Sequence, residues 1–329
     1  MNIFYDFLDS NKNYDRLRDS IKENKTPVLA TGVVDGQKTH LIAGITNDVH
    51  KSNLVITHSE LKAKEIYNDL KFFLKDKVVL YPAKDIIFYW ADVKSMDIIK
   101  ERFNIISRLI NNEEITVVVT VEALFDRLVP KNIFEDFVFD IKVGDTYDID
   151  ELCKKLVFMG YEHSDVVEGQ GQFARVDIYS AVNENPIRLD FFDEDVDAIK
   201  TLDAKTQRSL GNISEAKIYP MRELVYNEEQ VEIAIKNIEK DLNSFKNKTD
   251  KIKMLTDEVI EKLREQKSFS GVDRYIQYFY DKTASLIDYF PKDSCFYIDE
   301  PNRVREHGDF IIREFTNSIE NRIDKGYML

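Results

Sequence analysis

The feature that most restricts this chain is an alternation in its first third. Short apolar runs are separated by longer stretches whose apolar residues recur at helical spacing. The runs Asn53 to His58 (NLVITH), Val78 to Tyr81 and Glu114 to Val121 (EITVVVTV) read as strands. After the first, Ser59 has the chemistry of a helix N-cap, and Leu61, Ile66, Leu70 and Phe73 follow at roughly helical spacing. Asp97 to Ile110 has the same helical character. Strands that alternate with helices predict a parallel sheet covered by helices. Pro27 to Ala30 reads as a further strand, running into a turn over Thr31 to Gly36 and a helix to about Ile45.

Near Phe134 the pattern changes. Phe134 to Val143 alternates as a strand does, and Asp148 to Met159 reads as a helix closed by Gly160. Strand-like runs then crowd together at Tyr161 to Val167, Phe173 to Tyr179, Ile187 to Phe192, Ala198 to Leu202 and Ala216 to Tyr219. Their connections are too short for crossover helices, so an antiparallel sheet is expected. From Arg222 the chain is helical and charged to Phe290, followed by a strand at Ser294 to Ile298 and a helix from Asn302 to Ile323. The late strand fits as a return to the first sheet. The expected organisation is an α/β domain begun by residues 1–133, an inserted α+β domain at 134–220, and helices at 221–329 that lead back into the α/β domain. The last residues, Lys325 to Leu329, read as the edge of an excerpt from a longer protein.

Composition narrows the function. With 46 basic and 60 acidic side chains the formal charge is −14, unlike a nucleic-acid binder that neutralises phosphates over a basic surface. Cys153 and Cys295 lie far apart and in no CxxC pair, which points to no zinc ribbon or disulfide framework and to a reducing cytoplasm. No basic-then-apolar leader and no segment of membrane-spanning length are seen. The five histidines form no metal-spaced pair, so neither a metal nor a cofactor is expected.

Gly32-Val33-Val34-Asp35-Gly36-Gln37-Lys38-Thr39 stands where a phosphate-binding loop would, between a strand and a helix. Against GxxxxGK[ST], Gly32, Lys38 and Thr39 match, and Gln37 replaces the second glycine. That glycine lets backbone N–H groups approach a phosphate closely, so Gln37 crowds the loop where it is tightest. Downstream, an apolar strand ends in Asp299-Glu300, resembling the second NTPase motif, in which Asp holds a magnesium water and Glu activates one. Pro301 restricts the backbone of Glu300. The motif reads as a degenerate nucleotide site, with Lys38 and Thr39 as ordinary helix residues; an active ATPase is the alternative.

The most informative region is Gly171 to Leu210. With period two, Ala174, Val176 and Ile178 share one side, and Phe173, Arg175, Asp177 and Tyr179 the other. In the next strand Ile187, Leu189 and Phe191 point to the core, while Arg188, Asp190 and Phe192 share the opposite face. Paired through Asn183-Glu184-Asn185, the two strands would display two arginines and three aromatics, residue types enriched in binding hot spots. Alternatively the aromatics are covered by this same chain and the arginines serve only Asp177 and Asp190.

Gly171-Gln172-Phe173-Ala174-Arg175, the run from Pro186 through Asp193, and Asp203 with Thr206-Gln207-Arg208-Ser209 resemble the N-terminal part of the bacterial transcription-repair coupling factors. Leu80-Tyr81-Pro82 and the Arg102 to Leu109 helix fit too. The resemblance implies a UvrB-like module: a degenerate P-loop helicase-type domain interrupted by a UvrA-binding domain, without working ATPase motifs. It implies UvrA as partner, with Arg175, Arg188 and Phe192 facing it. ATP-driven translocation, RNA polymerase and double-stranded DNA would belong to later domains. The chain departs from the family in one place. Where the family continues Arg-Gly-Gly before its Ile/Val-Asp-Ile, here Arg175 runs directly into Val176-Asp177-Ile178. A DNA-binding role, as in UvrB, is disfavoured by the negative charge and by the lack of a hairpin rich in Tyr and Lys.

Overall fold

A computed structural model of the chain describes residues 5, 7–8, 10–84, 96–169, 172–174, 177–180, 182–245, 249–265, 269 and 271–325. It resolves into two compact units, one of 1–84, 108–126 and 289–313, the other of 85–107, 127–288 and 314–329. The class is mixed α/β, with a parallel sheet and separate antiparallel sheets.

The first unit holds helices α1 (Lys12–Lys22), α2 (Asp35–Val49) and α3 (Glu60–Leu74) and a four-stranded sheet. Its strands are β1 (Asn53–Thr57), β2 (Val78–Tyr81), β3 (Thr116–Thr120) and β12 (Cys295–Ile298), in the order β12-β1-β3-β2. β12 joins β1 in parallel, with Val55 opposite Tyr297. All residues of β1 and β3 are buried, as the uninterrupted apolar runs require of central strands. Val55 and Val118 meet Ala43 of α2 and Ala63, Ile66 and Leu70 of α3 in the core. Ser59 caps α3 by accepting the Lys62 N–H. Gly44 lets α2 approach its neighbour closely: a Cβ there would lie 2.4 Å from Leu8 Cδ1 and 2.9 Å from the Tyr14 hydroxyl.

The strand expected at Pro27 to Ala30 does not form. These residues are irregular, and Val28 and Leu29 are exposed. Pro27 has no N–H to give a ladder, and the run is not paired in the sheet.

The second unit has α4 (Met96–Ile110, shared with the first), α5 (Lys131–Asp136), α6 (Ile149–Phe158), α7 (Glu228–Ser244), α8 (Asp250–Arg264) and α9 (Ile276–Phe279). The last helix, α10 (Pro301–Asp324), contributes to both units. β4 (Phe139–Lys142) pairs with β11 (Glu215–Ile218). The six-stranded sheet runs β10-β9-β8-β7-β6-β5. Its strands are β5 (Glu162–His163), β6 (Gln172–Ala174), β7 (Asp177–Ile178), β8 (Ile187–Phe192), β9 (Asp195–Leu202) and β10 (Ser209–Ile213). The pairs are antiparallel except β5 with β6.

Two local expectations need correction. The segment beginning at Phe134 opens as helix: Phe134 lies in α5, buried and stacked on Phe103 at 6.2 Å, and only Phe139–Lys142 is strand. β10 was not expected at all. As an edge strand exposed along nearly its whole length it carries no apolar alternation for periodicity to detect. The helix over 148–159 is as expected: the Asp148 carboxylate accepts from the Asp150 and Glu151 N–H groups. Gly160 ends it with φ 93°, where a Cβ would stand 2.8 Å from Arg222 Cγ.

The interior of this unit contains an ion pair, Arg102 Nε to Glu223 Oε1 at 2.5 Å, with both side chains almost fully buried. Removing one partner of such a pair strands the other charge in a medium that solvates it poorly. Arg102→Met is therefore expected to destabilise the protein by about 3–5 kcal/mol. Urea denaturation of the variant against the parent checks this, and a shift below about 1 kcal/mol would contradict it.

Candidate functional site

β8 sets the geometry of the face. Ile187 and Leu189 are buried beneath the sheet, while Arg188 and Asp190 on the other side are partly exposed. Phe192, at the end of the strand, is 78% exposed. Opposite β8 on one side lies β7, with Asp177 facing Arg188; on the other lies β9, with Lys200 facing Arg188, Ala198 facing Asp190 and Asp195 facing Phe192.

Two ion pairs run across these strands. Arg188 donates from Nε to Asp177 Oδ1 at 2.7 Å and from Nη2 to Oδ2 at 2.6 Å, a two-pronged contact that suits the planar guanidinium. These bonds to Asp177 raise the Arg188 pKa further. The Asp177 side chain is only 7% exposed. Lys200 Nζ meets Asp190 Oδ2 at 2.5 Å. The Asp195 carboxylate accepts from the Thr146 hydroxyl at 2.7 Å.

The sequence reading of the preceding segment needs correcting. Residues 173–179 do not make one strand. β6 and β7 form an antiparallel pair, with Phe173 opposite Ile178 and Ala174 opposite Asp177. The reversal resets the alternation, so Phe173 is buried, edge-on to His163 at 5.2 Å, rather than displayed with Asp177. Asp177 is buried as well. Tyr179 is half-buried and donates its hydroxyl to the Glu184 carbonyl at 2.9 Å. Of the three aromatics expected on the face, Phe192 alone is bare. Arg175 lies outside the described residues. Lys200 was not singled out from the sequence: the buried residues of β9, Val196, Ile199 and Leu202, recur every third position, so no period-two alternation marks the face that Lys200 shares with Arg188.

The segment read from sequence as a degenerate nucleotide motif lies in the first unit. Gly32 adopts φ 74°, and no atom comes within 4 Å of where its Cβ would be. Gln37 turns its side chain back on the loop, accepting the Val34 N–H at 3.4 Å. Thr39 donates its hydroxyl to the Gly36 carbonyl at 3.1 Å. Lys38 Nζ lies 2.8 Å from Asp299 Oδ1, 3.2 Å from Asp35 Oδ1 and 3.6 Å from Glu300 Oε1. Burial works to lower the Lys38 pKa, but the hydrogen bonds to Asp299 and Asp35 outweigh it and hold the ammonium above its ordinary range. Asp35 is held below its ordinary range, first by its hydrogen bond to Lys62 and then by that to Lys38. Folding thus brings Lys38, Asp299 and Glu300 together, and the lysine that would meet a phosphate is already occupied by carboxylates. Among the described residues no cluster of His, Cys, Asp and Glu could hold a metal ion, and no helix is long and apolar enough to cross a membrane.

Residues 139–224 match the family model of the UvrB interaction domain. Nearly the whole chain is similar to bacterial transcription-repair-coupling factors. It is 31% identical to that of Bacillus subtilis (strain 168) over 96% of this chain and 29% of the relative. Against that of Staphylococcus haemolyticus (strain JCSC1435) identity is 29%, over 98% of this chain and 28% of the relative. The chain therefore spans little more than a quarter of the length of these relatives.

The geometry separates two side chains that the sequence had grouped. Arg188→Ala leaves the buried Asp177 carboxylate without its partner and should cost about 1–3 kcal/mol of stability. Phe192→Ala removes a side chain that touches water and should stay within about 0.5 kcal/mol of the parent. Denaturant titration of both variants tests this; equal stabilities would show that Asp177 does not depend on Arg188.

Proposed function

We propose that this chain, a homologue of the transcription-repair-coupling factors carrying a UvrB interaction domain, is a non-catalytic docking module that recruits the excision-repair protein UvrA to lesion-stalled transcription. The observation that carries the reading is Phe192, an aromatic side chain bare on a sheet face within the matched domain. A large exposed aromatic beside paired charges has the composition of a binding hot spot, and nothing else on that face needs it for folding. Arg188 stands on the same face; Arg175 is assigned to it through the family resemblance. The unit holding the parallel sheet is read as a degenerate helicase-type domain. Residues 134–220 are read as the inserted docking domain, and 221–329 as the return to the first. RNA polymerase and DNA would be engaged by other parts of the full-length protein, in the cytoplasm.

The absence of catalysis is supported by the nucleotide motif. An incoming phosphate would have to displace Asp299 and Asp35 from Lys38, in a loop where Gln37 stands for glycine and already takes up a backbone donor.

Two outcomes are expected. Phe192→Ala should weaken UvrA binding by about 2 kcal/mol or more, roughly thirtyfold, with folding intact. Leu189→Ala, which hollows the core beneath the same strand, should instead destabilise the protein by about 2–5 kcal/mol. Affinity measured beside thermal melting separates the two effects, and unchanged UvrA affinity in Phe192→Ala would overturn the docking role. Calorimetric titration with Mg-ATP should give no saturable heat. Micromolar binding that disappears in Lys38→Ala would restore the nucleotide site.

A further inference from the structure

Two cations, Arg188 and Lys200, stand directly opposite each other on neighbouring antiparallel strands of the docking face. Like charges in that position repel, and a sheet tolerates them only where anions compensate. Here Asp177 compensates Arg188 and Asp190 compensates Lys200.

The two pairs are equal in exposure at the cation, 35% in each case, but not in what holds them. Arg188 is gripped at two atoms by a carboxylate that is nearly buried, so its position is fixed and only its remaining N–H groups can be offered outward. Lys200 is held at one atom by a carboxylate that is itself 36% exposed. Water can solvate Asp190 as soon as the ammonium leaves it. Such exposed pairs hold their members weakly, and a lysine stem can redirect its charge at little cost.

We infer that Lys200 is a second partner-reading cation of this face, working beside Arg188, and that the partner presents carboxylate groups opposite this pair. Phe192 lies on the same face four residues along β8 from Arg188. At the rise of an extended strand that is roughly 13 Å. The complementary surface is thus an acidic patch roughly 13 Å from an apolar pocket that receives Phe192. This inference rests on the docking reading above and specifies the chemistry of its partner.

The test is the affinity of purified UvrA for the full chain at low and moderate salt, with thermal melting of every variant as control. Lys200→Glu is expected to weaken binding at least about tenfold. Lys200→Met should weaken it by a smaller factor and flatten its salt dependence, because it deletes the charge without reversing it. Lys200→Arg should bind as the parent does. All three should melt with the parent, since Lys200 contributes nothing to the core. If Phe192→Ala loses binding while Lys200→Glu and Lys200→Met keep the parent affinity and salt dependence, Lys200 has no such role and the docking reading stands. If the parent fails to bind UvrA, or if Phe192→Ala and Lys200→Glu both bind normally, the docking reading falls and the role of Lys200 falls with it.

Discussion

A carboxylate that folding removes from water must be paired, and in the six-stranded sheet that requirement falls on Asp177. Its side chain is nearly buried, and both oxygens are taken by Arg188. The contact joins a two-residue strand, β7, to β8 in one register, with Asp177 opposite Arg188 and Ile178 opposite Ile187. A strand so short has little else to fix its register. A slip by one residue would place Asp177 against the core and lift Ile178 into water. The pair therefore decides which side of β8 is the face. Ile187 and Leu189 go under the sheet and Arg188 and Asp190 above it, which carries Phe192 outward at the strand end.

The same physics gives an opposite result in the first unit. Lys38 and Asp299 come from positions far apart in the sequence, one at the N-terminal end of α2 and the other just beyond the C-terminal end of β12. In an open parallel sheet, ligands bind at the carboxyl ends of strands. Here that place is filled by the protein's own charges. The pair does for α2 and β12 what a phosphate and its metal would do for a working loop, holding helix to strand. Gln37, standing where a phosphate-binding loop has glycine, adds its own side chain to this cluster by accepting the Val34 N–H.

Much of this was legible in the residues. The buried strands β1 and β3 announce themselves because central parallel strands carry unbroken apolar runs, and the β8 face was readable because alternation survives from Ile187 to Asp190. What failed was short or wet. Periodicity needs a run of several periods to be recognised, and β6 and β7, with three and two residues, are too short to offer one. Reading them as one strand moved Phe173 from the core to the surface. β10 is an edge with almost every residue exposed, so no apolar residue marks its inner side. Pro27 to Ala30 has the composition of a strand, but composition does not supply a neighbour to pair with. The burial of Asp177 was invisible for a further reason: an aspartate reads as exposed until the arginine that compensates it is placed beside it.

Phe192 raises the question of why an aromatic ring is left in water at all. Its surroundings disfavour self-association through the ring. Asp190 lies two residues before it, Asp193 and Glu194 follow it in the turn, and Asp195 stands opposite. A second copy of this chain approaching the ring would bring the same carboxylates against these. With a net charge of −14, repulsion between copies extends beyond the turn itself. A partner avoids this penalty when its pocket for the ring is apolar and its carboxylates stand opposite Arg188 and Lys200, away from the turn. Burying an aromatic side chain removes about 150–200 Å² from water, which at about 25 cal/mol per Å² is a gross gain of about 4–5 kcal/mol. Ordering and polar desolvation subtract from that, leaving a net effect of about 2 kcal/mol as a reasonable scale for one anchor. In the docking role proposed above, the acidic turn would disfavour a second copy, the ring would supply affinity and the adjacent cations would set register on the partner.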